Sequence, residues 1–239
     1  MVAENVKNIR ERIAAACVRV GRQPEGITLI AVAKTFPSDK IRDAVRAGVA
    51  DIGENYVQEL QQKQRELDGE QIRWHFIGHL QSNKVKNVVG AVQCIHSVDS
   101  LLLGREISKH AARRGSAIDI LVEVNTSREA SKFGVSPEEA PDIVRKLIRL
   151  TNINITGFMT IGPLLPDPEQ SRPAFRILRE LKESLDGEGI RLPHLSMGMT
   201  NDFEIAIEEG STMVRIGTAI FGHRKKQNTP AVSTESSEG

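Results

Sequence analysis

Lys34 is the residue whose surroundings most clearly select a chemistry. It ends an apolar run, residues 27–33, in which only Thr28 is polar. A lysine closing a buried strand stands beside low-dielectric walls. Desolvation there disfavours the ammonium and leaves an amine able to attack a carbonyl near neutral pH, as Schiff-base chemistry requires. The plainer alternative is a lysine whose stem snorkels to solvent. Two later segments, Ser196-Met197-Gly198-Met199-Thr200 and Gly217-Thr218 running on to Gly222, read as halves of one anion site. Glycines let backbone N–H groups approach an oxyanion closely, and the helix expected over 201–209 would add its positive end. Ordinary turn chemistry uses the same residue types. Arg215 falls inside the last apolar strand, where a guanidinium needs acceptors, either a carboxylate or a ligand. An amine and a phosphate cradle on one rim suggest pyridoxal phosphate, an aldehyde for the lysine and a phosphate for the loops.

Other candidates are weaker. His75 and His79 mimic a metal-ligand spacing, but one sits on an expected strand and the other beyond a glycine, with no HExxH pattern, so no metal is expected. Glu54 and Glu123 are the rim carboxylates that a lysine-dependent aldolase-like barrel would require. The basic stretches at 84–86 and 224–226 read as solvated surface.

These residues need a scaffold that brings them to one place. The chain has 239 residues, 39% of them hydrophobic and 26% charged, which suits a globular core. Lys and Arg number 32 against 31 Asp and Glu, so there is no global basic field for nucleic acid or an anionic membrane. No apolar stretch approaches a membrane span and the N-terminus lacks a signal-peptide core, so a cytoplasmic protein is expected. Cys17 and Cys94 read as buried thiols.

An opening helix carries Val6, Ile9, Ile13, Cys17 and Val20 at helical spacing. Eight strand-like runs then alternate with helices, starting at 27–33, 49–53, 72–77, 94–98, 117–124, 153–161, 192–196 and 212–216. Ser38 is expected to cap one helix, and another is expected over 136–150 with Pro137 at its first position. Strict βα alternation implies a parallel sheet, and eight units fit a (β/α)8 TIM barrel with an extra N-terminal helix. The first strand is not followed by GxGxxG, which lowers an open doubly wound sheet. Such a barrel puts Lys34, Asn55, the 196–200 turn, Arg215, Gly217 and Thr218 at the C-terminal ends of its strands, where barrels do chemistry. Residues 1–224 read as a single domain and 225–239 as a disordered tail.

Ala31-Val32-Ala33-Lys34-Thr35, Gly53-Glu54-Asn55-Tyr56, Leu80-Gln81-Ser82-Asn83-Lys84, Ser131-Lys132-Phe133-Gly134, Ser196-Met197-Gly198-Met199 and Val214-Arg215-Ile216-Gly217-Thr218, in this order, resemble the pyridoxal phosphate homeostasis protein family. The resemblance runs from about residue 5 to 224. It implies an alanine racemase N-terminal-like barrel with pyridoxal phosphate held as a Schiff base on Lys34. By the same resemblance Ser196, Gly217 and Thr218 hold the phosphate, helped by Met197, Gly198 and Thr200. Arg215 faces the pyridine nitrogen and Asn55 lies near the ring. Thr200 stands where the family more often has Ser, which keeps the hydroxyl.

Two classes of function compete. A racemase-like enzyme needs acid/base groups on both faces of its substrate. In the racemase fold the second is a tyrosine from a partner's appended domain, and here the single tyrosine is Tyr56. A binding protein that buffers or delivers the cofactor to apo-enzymes, as a monomer and with no catalytic residues, is therefore expected. Lys132 is the candidate for a secondary cofactor site.

Overall fold

The computed structural model describes residues 1–163 and 165–222, so the expected tail lies outside the described residues. Its centre is a closed barrel of eight parallel strands in chain order: β1 (Thr28–Val32), β2 (Asp51–Glu54), β3 (Arg73–Phe76), β4 (Cys94–Val98), β5 (Ile118–Glu123), β6 (Ile153–Met159), β7 (His194–Ser196) and β8 (Met213–Ile216). Around it run α1 (Val2–Arg19), α2 (Ser38–Arg46), α3 (Val57–Glu66), α4 (Leu101–Arg113), α5 (Ala140–Leu147), α6 (Arg172–Gly187), α7 (Phe203–Glu208) and α8 (Thr218–Phe221). The expected α/β barrel with an added first helix is what forms. Among the described residues no helix is long and apolar enough to cross a membrane.

The additional helix α1 buries Val6, Ile9, Ile13 and Cys17 as its spacing demands. Val20 departs from that stripe: it is the C-cap residue and is exposed. On the outer face α1 is tied to α7 by Arg12–Glu204 and Arg19–Glu208 contacts of 2.7 Å. The β8–β1 seam is thereby covered. Two expected caps fail. Pro37, not Ser38, caps α2, and the Ser38 hydroxyl instead donates to Glu66 at 2.5 Å. The helix expected from residue 136 starts at Ala140, because Pro141 rather than Pro137 takes the opening turn. Ser136 and Glu139 bond to each other in a turn ahead of it.

Side chains alternate across each strand. Ile30, Cys94, Leu121, Met159 and Met213 form an apolar cluster separate from the main core, and they fill the barrel's interior. By the same alternation Lys34, Asn55, Glu123 and Arg215 lie on inward-facing positions toward the C-terminal pole. β1 pairs with β8 with Ala31 opposite Ile216, which brings the end of β1 beside Gly217. The strands pack tightly at Gly157, where a Cβ would stand 1.9 Å from the His194 carbonyl oxygen. Gly157→Ala should therefore force β6 and β7 apart and cost roughly 1–3 kcal/mol of stability by overpacking. A denaturant unfolding curve reads this directly, and an unchanged midpoint would refute the close approach.

Candidate functional site

Lys34 follows β1 in a tight turn. The next residue, Thr35, has φ 67°, left-handed backbone that a β-branched side chain resists. Such strain costs on the order of 1–3 kcal/mol and persists only where neighbours enforce it. Here the enforcing groups are visible. The Thr35 N–H donates to Glu59 at 2.7 Å. Lys63, buried on α3, donates to the Ala33 carbonyl at 2.8 Å and to Glu54 and Glu59 at 2.7 Å each. One ammonium thus ties the end of β1, the end of β2 and α3 together beneath the turn that presents Lys34. Burial pushes the Glu54 carboxyl up, against the pull of Lys63. The rim carboxylate expected of an aldolase is engaged in this clamp.

Lys34 lines a cleft of about 490 Å³ at the C-terminal pole, together with Thr200, Arg215, Gly217 and Thr218. Val32, Phe36 and Pro163 supply its apolar wall. The loops after β7 and β8 meet here, with the Thr218 hydroxyl donating to Thr200 Oγ1 at 3.2 Å. Among the described residues the backbone N–H groups of Thr200, Asn201 and Thr218 have no acceptor. A Cβ on Gly217 would come within 3.3 Å of the Val32 carbonyl oxygen, so that backbone lies flush with the wall. Hydroxyls and unengaged N–H groups suit an anion. The helix α7, expected from residue 201, begins only at Phe203 and is short. Asp202 occupies its cap and accepts from the Met199 N–H at 2.7 Å.

Ser196, Met197 and Gly198 do not line this cleft. Ser196 points into the barrel and is fully buried, and Met197 points outward into the main core. Gly198 has φ +95° and faces α7, where a Cβ would stand 2.6 Å from Ala206 Cβ. These three position the turn; Met199 and Thr200 are the members of the segment at the cleft wall. Asn55 lies at the mouth but lines a neighbouring groove of about 510 Å³, with Tyr56, His79, Gln81 and Lys84. Its Oδ1 is buried and carries no hydrogen bond.

Arg215 reaches the cleft from inside the barrel and is 5% exposed. Its Nη1 donates to Ser196 Oγ at 2.6 Å and to the Ser196 carbonyl at 2.7 Å, and its Nη2 donates to the Thr160 carbonyl at 2.8 Å. Burial lowers its pKa to about 10, opposed by Glu123 and Asp202, and leaves it cationic at neutral pH. Glu123 is also buried, and burial together with the nearby Asp99 pushes its carboxyl up to about 7. It shares a small cavity of about 130 Å³ with Lys132 and Phe133. Lys132 pairs with Glu129 at 2.7 Å and donates to the Gly162 carbonyl.

His75 and His79 separate as their elements require. His79 stacks on Phe133, with ring centroids 3.8 Å apart. His75 points inward to His96 and Cys94, the one cluster with metal-ligand chemistry among the described residues. The two rings already share a hydrogen bond of 3.0 Å, and burial pushes the Cys94 thiol pKa up, so the cluster is a packed interior. Sequence reasoning missed Lys63 and His96. His96 was detectable in principle, since it follows Cys94 at the period-two spacing of one strand face. Lys63 gave no such signal, because its partners come from three separate elements.

The geometry defines a class: a (β/α)8 barrel with a lysine, an arginine and two hydroxyl-bearing loops around one cleft at its C-terminal pole. The alanine racemase N-terminal domain family matches residues 2–225. A protein of Aquifex aeolicus named pyridoxal phosphate homeostasis protein is 46% identical over 223 residues, covering 93% of this chain and 98% of its own. One of the same name from Escherichia coli is 40% identical, covering 93% and 97%. PipY of Synechococcus elongatus with PLP bound superposes with a TM-score of 0.82 at 33% identity, covering 93% of this chain and all of its own. The chain belongs to the pyridoxal phosphate homeostasis protein family. An alanine racemase of Clostridium difficile, 16% identical with a TM-score of 0.72, shares the fold, and the match covers 58% of its length.

Glu123 offers a test of the site's electrostatics. Its pKa is raised from 4.5 to about 7 in the fold. Its stabilising contribution is therefore complete below about pH 4.5 and lost as pH rises through about 7. Glu123→Gln, neutral throughout, should remove that loss and be more stable than the parent at pH 8 by on the order of 3 kcal/mol at most. Unfolding curves at pH 5 and pH 8 check this, and an unchanged pH dependence would place the carboxylate in water.

Proposed function

We propose that the chain binds pyridoxal phosphate in the Lys34 cleft, as a Schiff base on Lys34, and buffers or delivers it in the cytoplasm without substantial amino-acid turnover. The carrying observation is the meeting of four features on one cleft: the Lys34 amine, the Arg215 guanidinium, the Thr200 and Thr218 hydroxyls, and unengaged backbone N–H groups. The residues fit the group. An amine suits an aldehyde, the hydroxyl-and-glycine wall suits a phosphate, and the apolar side formed by Val32, Phe36 and Pro163 suits a flat ring. The names of the relatives and the ligand of PipY support the same assignment. In this reading Thr200, Gly217 and Thr218 hold the phosphate, Arg215 donates to the pyridine nitrogen, and Lys34 carries the covalent link. When bound, the cofactor supplies an electrophilic carbon and an electron sink.

The competing reading is a racemase-like enzyme, to which the fold likeness lends support. Two observations weigh against it. The chain's single tyrosine, Tyr56, is exposed in the neighbouring groove and does not face the lysine across the cleft. An arginine donating to the ring nitrogen keeps that nitrogen unprotonated and the electron sink weak. Loss of one acid/base group alone is worth about 10²–10⁴ in rate. The cleft opens to solvent at the mouth, so an amine from an apo-enzyme or a free amino acid has a route to the linkage.

Protein incubated with pyridoxal phosphate should show a visible absorption band that borohydride bleaches, with the label mapping to the Lys34 peptide. Lys34→Ala should lose the band and keep the fold. A label on Lys132 alone would overturn the assignment. Loaded protein incubated with amino acids in deuterated water should show no α-proton exchange at ordinary enzyme rates. Exchange at such rates, abolished by Lys34→Ala, would establish the racemase-like reading instead.

A further inference from the structure

The interior of the barrel holds a continuous line of hydrogen bonds from the cleft to the opposite pole. Ser196 Oγ, which accepts from Arg215, lies 3.0 Å from His96 Nδ1. His96 Nε2 lies 3.0 Å from His75 Nδ1, and His75 Nε2 lies 3.0 Å from Asp51 Oδ1. Arg73 closes the line from outside, its Nε and Nη2 donating to Asp51 at 2.9 and 2.6 Å. The members come from β8, β7, β4, β3 and β2, so only the barrel's interior can join them.

One direction of bonds along the line satisfies both ends. A guanidinium only donates, so Ser196 Oγ accepts from Arg215 and its own proton is available to His96 Nδ1. Burial above all holds His96 well below the usual imidazole range. It is therefore neutral, and an Nδ1 that takes the Ser196 proton leaves its own single proton on Nε2. That proton faces His75 Nδ1, and a His75 that accepts it carries its proton on Nε2 facing Asp51. From the other end, burial works to raise Asp51, but the hydrogen bonds from His75 and Arg73 outweigh it and hold the carboxyl below its ordinary value. Asp51 is thus a carboxylate and accepts. The arrangement with every proton pointing toward Asp51 satisfies both ends.

We propose that Ser196, His96, His75 and Asp51 are positioning residues for Arg215: a relay with every donor pointing from the cleft to the floor, which fixes the guanidinium as a donor at the cleft. The role toward a pyridine nitrogen rests on the pyridoxal phosphate reading; the relay itself does not. A hydroxyl whose proton is committed to His96 offers Arg215 only lone pairs. With two backbone carbonyls on the same guanidinium, the plane cannot turn, and its remaining N–H groups are held toward the cleft. Without His96, the Ser196 proton is free to turn toward Arg215 and loosen that grip.

The test is made on the full chain. Nitrogen-15 NMR of the unliganded protein at pH 7 should find both His75 and His96 as neutral Nε2–H tautomers. An Nδ1–H tautomer or an imidazolium at either position would overturn the relay. His96→Phe should weaken pyridoxal phosphate binding about tenfold, the scale of one hydrogen bond to a charged group, and shift the visible band. His96→Asn, whose Oδ1 can take the Ser196 proton as Nδ1 does, should restore both. Thermal unfolding of each variant separates this from loss of fold. Correct tautomers with unchanged affinity and spectrum in His96→Phe would overturn the positioning role. Failure of the parent chain to bind pyridoxal phosphate would overturn the role toward the ring with the cleft's assignment, while the tautomers still decide the relay.

Discussion

A guanidinium buried inside a barrel is the constraint around which this structure is arranged. Moving such a charge out of water costs several kcal/mol even after relaxation, and the cost is offset only by good acceptors. Arg215 finds them in two strand-end carbonyls and a serine hydroxyl, and the serine is held in turn by two histidines and an aspartate. A chain of residues through the barrel is polar for that reason. An interior of Ile, Leu and Met alone would leave the cation unsatisfied. The apolar cluster of Ile30, Cys94, Leu121, Met159 and Met213 fills the space between these polar positions.

The rim shows the complementary arrangement. Lys34 stands on a turn that its own backbone does not favour, and Lys63 holds that turn from below. Two lysines on neighbouring elements thus have opposite roles. Lys63 is 6% exposed and bonded to two carboxylates and a carbonyl, as a buried ammonium must be. Lys34 is only partly buried and faces the cleft. Chemistry at the rim depends on the first having taken the structural duty.

The alternation of strands and helices was legible because its signals are local: apolar runs of strand length separated by amphipathic turns. So were Lys34, Arg215, Gly217 and Thr218, which sit at or just past strand ends. The differences have physical sources. Pro137 and Pro141 both offer a helix start, and sequence does not rank them; packing of α5 does. Ser196, Met197 and Gly198 read as one group although the expected strand 192–196 ends where β7 ends; what local pattern does not give is that Ser196 turns into the barrel and Met197 into the helical layer. A shift of one residue decides whether a side chain enters the barrel or the helical layer. His96 and Lys63 act only through partners distant in the chain, and no local pattern encodes such convergence.

The barrel closes by pairing its first strand with its last. Lys34 therefore meets Arg215 and Thr218 only across that final seam, at a separation of more than 180 residues in the chain. During synthesis, at about 5–20 residues per second, the amine is made many seconds before the loops that complete its cleft. An emerging chain carries a lysine with no pocket around it, and the cleft is complete only once β8 has paired with β1. The cleft is for this reason a property of the closed ring of strands and of no partial length of it.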